Sequence, residues 1–591
     1  MVQETLGLCG VGSITFAVMH HGRSIFTDHV GYRDVCTKEE PDARTLHTLC
    51  SIAKSFVVVA FAILVDRGEC KFTDPVGSYL PEFKAKGDIL VSSEANFFDF
   101  FRHSGGLDNP VVTLLGPGGK VLVPEEDFIN LLNDTPTGNH IAGTYYNRHW
   151  VYSNVAYGLV AMVIERISGK RYSDFVWEEI LEPLNMLDTA VSRSHLTERK
   201  GNIAQPFVRL SDGTWCKQPE HEWTDERNTP VLAIIGIRSS VNDLMIWSAA
   251  FMDALNGGSE PMAVLSSIRR NPLSSKRVLN ILNGPNWSRP NPDDPGNRCS
   301  YHLSWLRCFM PSSMLHSLSW NYTLADNDVE DKDHINKNVL GRNSPPMLLH
   351  KMTGIGYCGT GSVNIFPETS SAVVVLSSGL NKGDPSDFVA AMLIQELFDL
   401  KPRIDILSMV SLEVEDCLRR WDRMVAEWTE HRNDAAPKCP LDDYVGGYYG
   451  MGITLTIRKS NQPEKLELLF NGREDVVQVL GHYNEDMYSY QPLDRDDWLR
   501  GAWLDWDYFM PAKYDRAKYT LLDRYFASTC RHNEPQSMIE GIVNSRAQED
   551  AAVRERSSTG GGGTSGSGGG GGGKPDNTGG GEDKTPNGVS K

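Results

Sequence analysis

Residues 50–68 read CSIAKSFVVVAFAILVDRG, a serine and a lysine three apart leading into an almost uninterrupted apolar run. The run predicts a helix from Ser51 to Arg67 that stops at Gly68, where a left-handed cap suits glycine. A helix that is apolar nearly all round belongs in a domain core. Positions i and i+3 share one face, so the Ser51 hydroxyl and the Lys54 amine can meet. An ammonium buried there is costly, and its pKa falls. Such a lysine can take the proton of a serine, which is a weak nucleophile unaided. The N-terminal end of the helix adds free N–H groups where negative charge would develop. The competing reading is a serine near an N-cap and a lysine reaching back to solvent. Ser51 is the one serine of the chain with a lysine three residues on.

The chain has 591 residues, enough for more than one domain and a large core. Hydrophobic residues make up 40% and charged residues 23%, the balance of a globular protein. A net charge of -18 argues against nucleic acid or an anionic membrane as the main partner. No stretch reads as a membrane span. The start, MVQETLGLCGVGSITFAVMHHGR, lacks a basic segment and a long apolar one, so no export signal is expected and a cytoplasmic location is. Eleven cysteines, scattered and without a C-x-x-C pair, predict free thiols in a reducing compartment, with no disulfide framework and no zinc site.

Along the chain, SITFAVMHHGRSIFTDHVGYRD predicts a hairpin turning at Gly22. FFDFFR reads as helix ended by HSGGLDNP, and SNVAYGLVAMVIERISGK as helix closed by Gly169. Residues 195–345 are polar and weakly periodic, which predicts a helical and loop-rich insertion. Strands return at GSVNIF and SAVVVLSSG, and a helix follows at DPSDFVAAMLIQELF. This order predicts an α+β layered domain over 1–405, an antiparallel sheet flanked by helices. A charged helix and spacer occupy 406–440. Short aromatic-rich strands from YVGGYYG to KYTLLDRY predict a small all-β sheet or barrel over 441–535. The Gly-rich stretch in 545–591 is low-complexity tail.

Three further segments line up with Ser51 and Lys54: VYSN at 151–154, LLHKMTGIGY at 348–357, and FFRHSGGL. With FTDPVGSYLPEF and GIRSSVNDLMIW, they resemble the serine β-lactamase-like superfamily over roughly residues 10–400. That superfamily includes class C β-lactamases, penicillin-binding D-alanine carboxypeptidases, D-aminopeptidases, and esterases and acyltransferases of fungal secondary metabolism. The 441–535 segment is similar to the lipocalin-like β-domain that often follows this catalytic domain. Relatives carry a helix before the first strand, for which only about ten residues are available here.

The resemblance implies roles position by position. Ser51 matches the acylated nucleophile, Lys54 the base partner, and Tyr152 the tyrosine that shuttles the proton. Asn154 matches the residue that holds a substrate amide or the lysine. His350 matches the first position of the third motif, in a register that places Met352 where relatives have glycine. A stretched register, Lys351 to Gly354, is the alternative. The backbone N–H groups of Ser51 and Thr353 would form the oxyanion hole. His103 reads as a structural residue fixing its turn. The acidic run at 326–334 lacks the spacing of a calcium loop. The implied activity is acyl transfer from an ester, thioester or amide of a small molecule to water or another acceptor, with no cofactor and no metal required. The rivals are a D-amino-acid-directed peptidase or amidase, a β-lactamase, and a non-catalytic binding protein on the same fold.

Overall fold

The structure is a computed structural model. It describes residues 1–502 apart from 136, 138–149, 200, 259–261, 285–286, 289–298, 322–338, 431, 434–439, 485–486 and 491. The expected strand KYTLLDRY, the acidic run at 326–334 and the Gly-rich tail lie outside the described residues.

An eight-stranded antiparallel sheet organises the first four hundred residues. Its strands are β1 (Ser13–His20), β2 (Arg23–Gly31), β3 (Trp287–Ser288), β4 (Ser300–Tyr301), β5 (Leu306–Met310), β6 (Met347–Gly356), β7 (Gly359–Phe366) and β8 (Ser371–Ser378). The spatial order is β2-β1-β8-β7-β6-β5-β4-β3. The β1–β2 hairpin turns at His21-Gly22 as the sequence predicts. β7 and β8 are buried along their whole length, as central strands covered by helices on both faces are.

Helices cover both faces. Ile14, Phe16 and Val18 of β1 and Val373 and Val375 of β8 share one cluster with Leu6, Phe388 and Val410. Those three residues come from α1 (Val2–Cys9), α6 (Pro385–Leu397) and α7 (Ile406–Glu430). So a helix precedes the first strand, and its eight residues are too few to show a period in the sequence. The lysine-bearing helix α2 (Lys54–Asp66) has eleven buried residues, from Lys54 to Leu64. It stacks Phe56 on Trp247 at 4.4 Å, and Trp247 belongs to α5 (Val241–Leu255). Between them in the chain come α3 (Phe97–Phe101) and α4 (Asn154–Ser168). α4 is capped by Gly169 at φ 68°.

Residues 195–345 differ from the expected insertion. They supply α5, a core helix, and β3–β5, which complete the main sheet. Two-residue strands carry no readable alternation, which is why the segment looked like loop. The cysteine expectation also fails at one place: Cys299 and Cys308 form a disulfide. The β4–β5 register pairs Ser300 with Arg307 and Tyr301 with Leu306, so 299 stands opposite 308. Their Cα atoms are 4.4 Å apart, within bonding reach. The cystine removes the ground on which a reducing compartment was expected. No helix among the described residues is long and apolar enough to cross a membrane.

After α7, five strands form an antiparallel meander: β9 (Gly446–Gly450), β10 (Ile453–Lys459), β11 (Leu466–Phe470), β12 (Gln478–Asn484) and β13 (Met487–Ser489). The meander is docked on the first part of the chain. Asn471 Nδ2 donates to the Leu122 carbonyl at 2.6 Å, and an Arg473 guanidinium nitrogen to that of Val121 at 2.8 Å. The Met451 N–H donates to Asp134 at 3.0 Å.

Candidate active site

The strand pair His47–Thr48 and Arg238–Ser239 leads directly into the nucleophile turn. Leu49 N–H donates to the Ile237 carbonyl at 2.9 Å. Cys50 then takes φ 48°, a left-handed conformation that costs a non-glycine residue about 1–3 kcal/mol. The turn Cys50–Ala53 is 3-10, and α2 begins at Lys54. The kinked entry leaves Ser51 half-buried at the mouth while Lys54 is sealed beneath it at 1% exposure.

Ser51 Oγ lies 3.0 Å from Lys54 Nζ and 2.9 Å from Tyr152 OH. Lys54 Nζ also donates to the Ile234 carbonyl at 3.2 Å. No carboxylate pairs with Lys54 among the described residues, and burial, opposed by a smaller contribution from Cys50, lowers its pKa from 10.5 to about 7. The amine sits over two phenol rings, 5.3 Å from the Tyr152 centroid and 5.8 Å from that of Tyr157. A neutral amine in this place is within reach of the Ser51 proton, and the Tyr152 hydroxyl donates to the same oxygen.

Tyr152 stands just before α4, held by groups that the motif pattern leaves unmarked. His103 takes φ 63° at the end of α3, with its ring buried. Its Nδ1 accepts the Ser153 N–H at 3.1 Å, and its Nε2 lies 3.1 Å from Tyr301 OH. The first bond assigns the proton to Nε2, and burial followed by the Lys54 charge holds the imidazole pKa well below its ordinary value. Tyr157, one turn into α4, donates to the Phe101 carbonyl at 2.5 Å. Asn154 opens α4, and its backbone N–H and Nδ2 both donate to Asn109 Oδ1, at 3.0 and 3.1 Å. Its own Oδ1 is buried without a hydrogen-bond partner among the described residues.

The third motif requires a correction. A Cβ on Gly354 would overlap the Leu49 carbonyl oxygen and meet the Cys50 Cβ at 3.4 Å. Gly354 is therefore the residue that lets β6 lie against the nucleophile turn, and Met352 stands two positions earlier on the same face. At about 3.4 Å per residue, His350 is ~14 Å back along the strand. It is paired with Arg307 and Ile365, and burial, with His302 and Arg307, lowers its pKa to about 3. The structure does not bring His350 to Ser51. Two glycines follow the motif, and which of them makes the close approach is a property of the fold.

Thr353 turns its hydroxyl to the opposite face, where it donates to the Leu318 carbonyl at 2.7 Å. Its backbone is the part facing the site. Tyr357-Cys358 form a two-residue hairpin turn, so the flanking Gly356 and Gly359 are a hydrogen-bonded pair. By alternation, the N–H groups of Thr353 and Ile355 point away from β7. They lie past Lys351, the last β6 residue paired to β5. These are the edge donors nearest the nucleophile turn.

Residues 1–396 match the protein family described as Beta-lactamase. The chain is 27% identical to penicillin-binding protein 4* of Bacillus subtilis (strain 168) over 210 residues, 35% of this chain and 44% of that one. It is 27% identical to the N-acetylmuramyl-L-alanine amidase of the same organism over 181 residues, 28% of this chain and 40% of that one. These alignments span less than half of either relative. The octameric penicillin-binding protein homologue from Pyrococcus abyssi superposes with a TM-score of 0.50 at 17% identity, over 82% of this chain and 90% of that one. That likeness shows the fold, a β-lactamase/transpeptidase-like arrangement of helices on an antiparallel sheet. By the family match over residues 1–396 of its 591, and with the serine, lysine and tyrosine of its sequence gathered at one point, the chain belongs to the beta-lactamase family.

Proposed function

We propose that the protein is a serine hydrolase or acyltransferase that works through an acyl-enzyme on Ser51. The observation that carries this reading is the approach of Lys54 Nζ and Tyr152 OH to one serine oxygen, at 3.0 and 2.9 Å, with Lys54 deprotonating near pH 7. Ser51 Oγ attacks a carbonyl carbon as its proton passes to Lys54. The tetrahedral oxygen takes N–H bonds from Ser51 and from the β6 edge at Thr353 or Ile355. Tyr152 returns a proton to the leaving oxygen, sulfur or nitrogen, and the bond to the leaving group breaks. Water or a second acceptor then attacks the ester on Ser51, with the same groups moving the proton back. The substrate on this reading is a small-molecule ester or thioester.

An amide substrate is the second reading, with a D-amino-acid-directed peptidase as its form. Asn154 Oδ1, buried with its acceptor capacity unused, is suited to a substrate N–H. One relative carries the name of an amidase.

The test is intact-protein mass spectrometry after a fluorophosphonate probe, with Ser51→Ala as the control. One adduct that the control lacks supports an activated Ser51, and an unlabelled, folded wild type sinks it. Chromogenic short-chain esters set against D-amino-acid anilides then separate the two readings.

A further inference from the structure

Behind the nucleophile lies a buried cluster that the acyl-enzyme reading does not use. Cys50, the residue before Ser51, places its Sγ 3.9 Å from that of Cys358. Cys358 sits in the turn joining β6 to β7, and neither cysteine is part of a disulfide. Gly356 makes the room for them, since a Cβ there would stand 2.8 Å from the Cys50 Sγ and 3.7 Å from the Cys358 Sγ. Around the pair are His221, Thr48 and Arg238. Thr48 Oγ1 is 2.8 Å from His221 Nε2, and an Arg238 guanidinium nitrogen is 3.5 Å from the same atom. Arg238 is 4% exposed and has no carboxylate partner among the described residues. A guanidinium stays charged when buried, so it favours an anion beside it.

We propose that Cys50 and Cys358 form a dithiol modification site, closed to a disulfide by hydroperoxides, which ties the nucleophile turn to the β6–β7 hairpin. The Cys358 sulfur is the one that attacks. Burial alone would raise its pKa, but hydrogen bonding with Cys50, the charge and hydrogen bond of His221, and Thr48 outweigh burial and hold it well below the ordinary thiol value. The thiolate attacks one peroxide oxygen, the O–O bond breaks, and the products are a sulfenic acid on Cys358 and hydroxide. The Cys50 thiol then displaces the sulfenic oxygen. Its proton leaves with that hydroxyl as water, and two electrons have passed from the sulfurs to the peroxide.

The sulfurs must close from 3.9 Å to about 2.05 Å, drawing the turn and the hairpin together. A shift of ~1 Å at a reacting centre costs on the order of 10²-fold in rate. The disulfide therefore acts as a brake on Ser51. That consequence rests on the acyl-enzyme reading, whereas the disulfide itself does not.

The experiment treats full-length protein with hydrogen peroxide, maps its peptides without reduction, and measures fluorophosphonate labelling before and after. The expected result is a peptide pair joined through Cys50 and Cys358, with labelling slowed on the order of 10²-fold and restored by dithiothreitol. Cys358→Ser should label like the wild type and be indifferent to peroxide. Because this variant keeps the Cys299–Cys308 bond, any effect of dithiothreitol alone on it belongs to that other pair. Cys50 and Cys358 recovered as separate thiols, Cys358 recovered as a sulfinic acid, or equal peroxide sensitivity in Cys358→Ser each overturn the proposal. If reduced wild type does not label at all, the acyl-enzyme reading fails while the peptide map still decides the disulfide.

Discussion

The imidazole of His103 lies against the phenol of Tyr152, ring centroids 4.2 Å apart, while its Nδ1 holds the N–H of the very next residue. One side chain thus fixes both the ring and the backbone of the tyrosine that meets Ser51. His103→Phe keeps a ring and removes the acceptor, leaving the Ser153 N–H buried and unpaired. The cost in stability is about 1–3 kcal/mol. Labelling of Ser51 should slow at least tenfold, and His103→Asn, whose amide oxygen can take the same N–H, should recover part of it. A His103→Phe enzyme with unchanged labelling would show that Tyr152 needs no such support.

Lys54 sets the pH dependence. Its folded pKa lies near 7, below its ordinary 10.5, and only the neutral amine accepts the serine proton. The labelling rate should rise with pH through about 7 and level off above it. A flat profile between pH 5 and 9 would remove Lys54 from the role of base.

The same shift has a consequence for stability. Between pH 7 and 10.5 the unfolded chain binds a proton at this lysine that the folded chain does not, so this group makes stability rise with pH across that window. Below pH 7 the full cost of the buried ammonium is present. Lys54→Met should therefore abolish labelling and yet raise the stability at pH 6, by an amount on the order of a few kcal/mol, with a higher melting temperature to match. Thermal melts of the two proteins at pH 6 and pH 9 check this, and the gap should narrow at the higher pH.

On the other face of β6, Lys351 forms an ion pair with Asp387, which also lies 2.6 Å from His316 Nδ1 and takes an Asn321 amide at 3.1 Å. Burial works to raise the Asp387 carboxyl, but His316 and Lys351 outweigh it and hold it below the usual carboxylate range. Its stabilising contribution is present above the ordinary carboxylate pKa and lost as pH falls below that. Lys351→Met leaves a buried carboxylate without one of its two cationic partners and should cost about 3–5 kcal/mol in urea unfolding at pH 7. A loss under 1 kcal/mol would mean that His316 and Asn321 suffice for Asp387.

Gly354→Ala tests the corrected third motif. The added methyl meets the Leu49 carbonyl, so β6 must back away from the nucleophile turn. Folded protein should survive with slowed labelling. Met352→Gly, at the position where the other register expects the small residue, should leave the approach of the strand unchanged. The reverse ranking of the two variants would restore the His350 register.

The gathering of Ser51, Lys54 and Tyr152 was legible because each lies in a readable short-range pattern. Ser51 and Lys54 share a helical face at i and i+3, and Tyr152 stands just before a helix whose apolar period runs to a glycine stop. The layered sheet was legible from β1, β7 and β8, whose apolar runs are long enough to read. His350 was placed wrongly because its motif offers two glycines, and only packing against Leu49 distinguishes them. The 299–308 cystine depends on the register of strands two and five residues long, which no spacing rule reports. His103 looked structural and is so, but its partner Ser153 lies fifty residues away, so its link to Tyr152 appears only in the fold.

The docked meander has a practical meaning for anyone who wishes to shorten this protein. Asp134 is a buried carboxylate that holds the Met451 N–H and an ion pair with Lys86. The Leu122 and Val121 carbonyls are likewise claimed by Asn471 and Arg473. Cutting the chain after the catalytic sheet, near residue 405, would strip the lid from these groups and uncover the flank of Leu131 on which Gly452 rests. The β-lactamase-like part thus shares buried hydrogen bonds with the meander, and a chain cut near residue 405 should melt below one that keeps it. The smallest piece worth expressing runs through the meander.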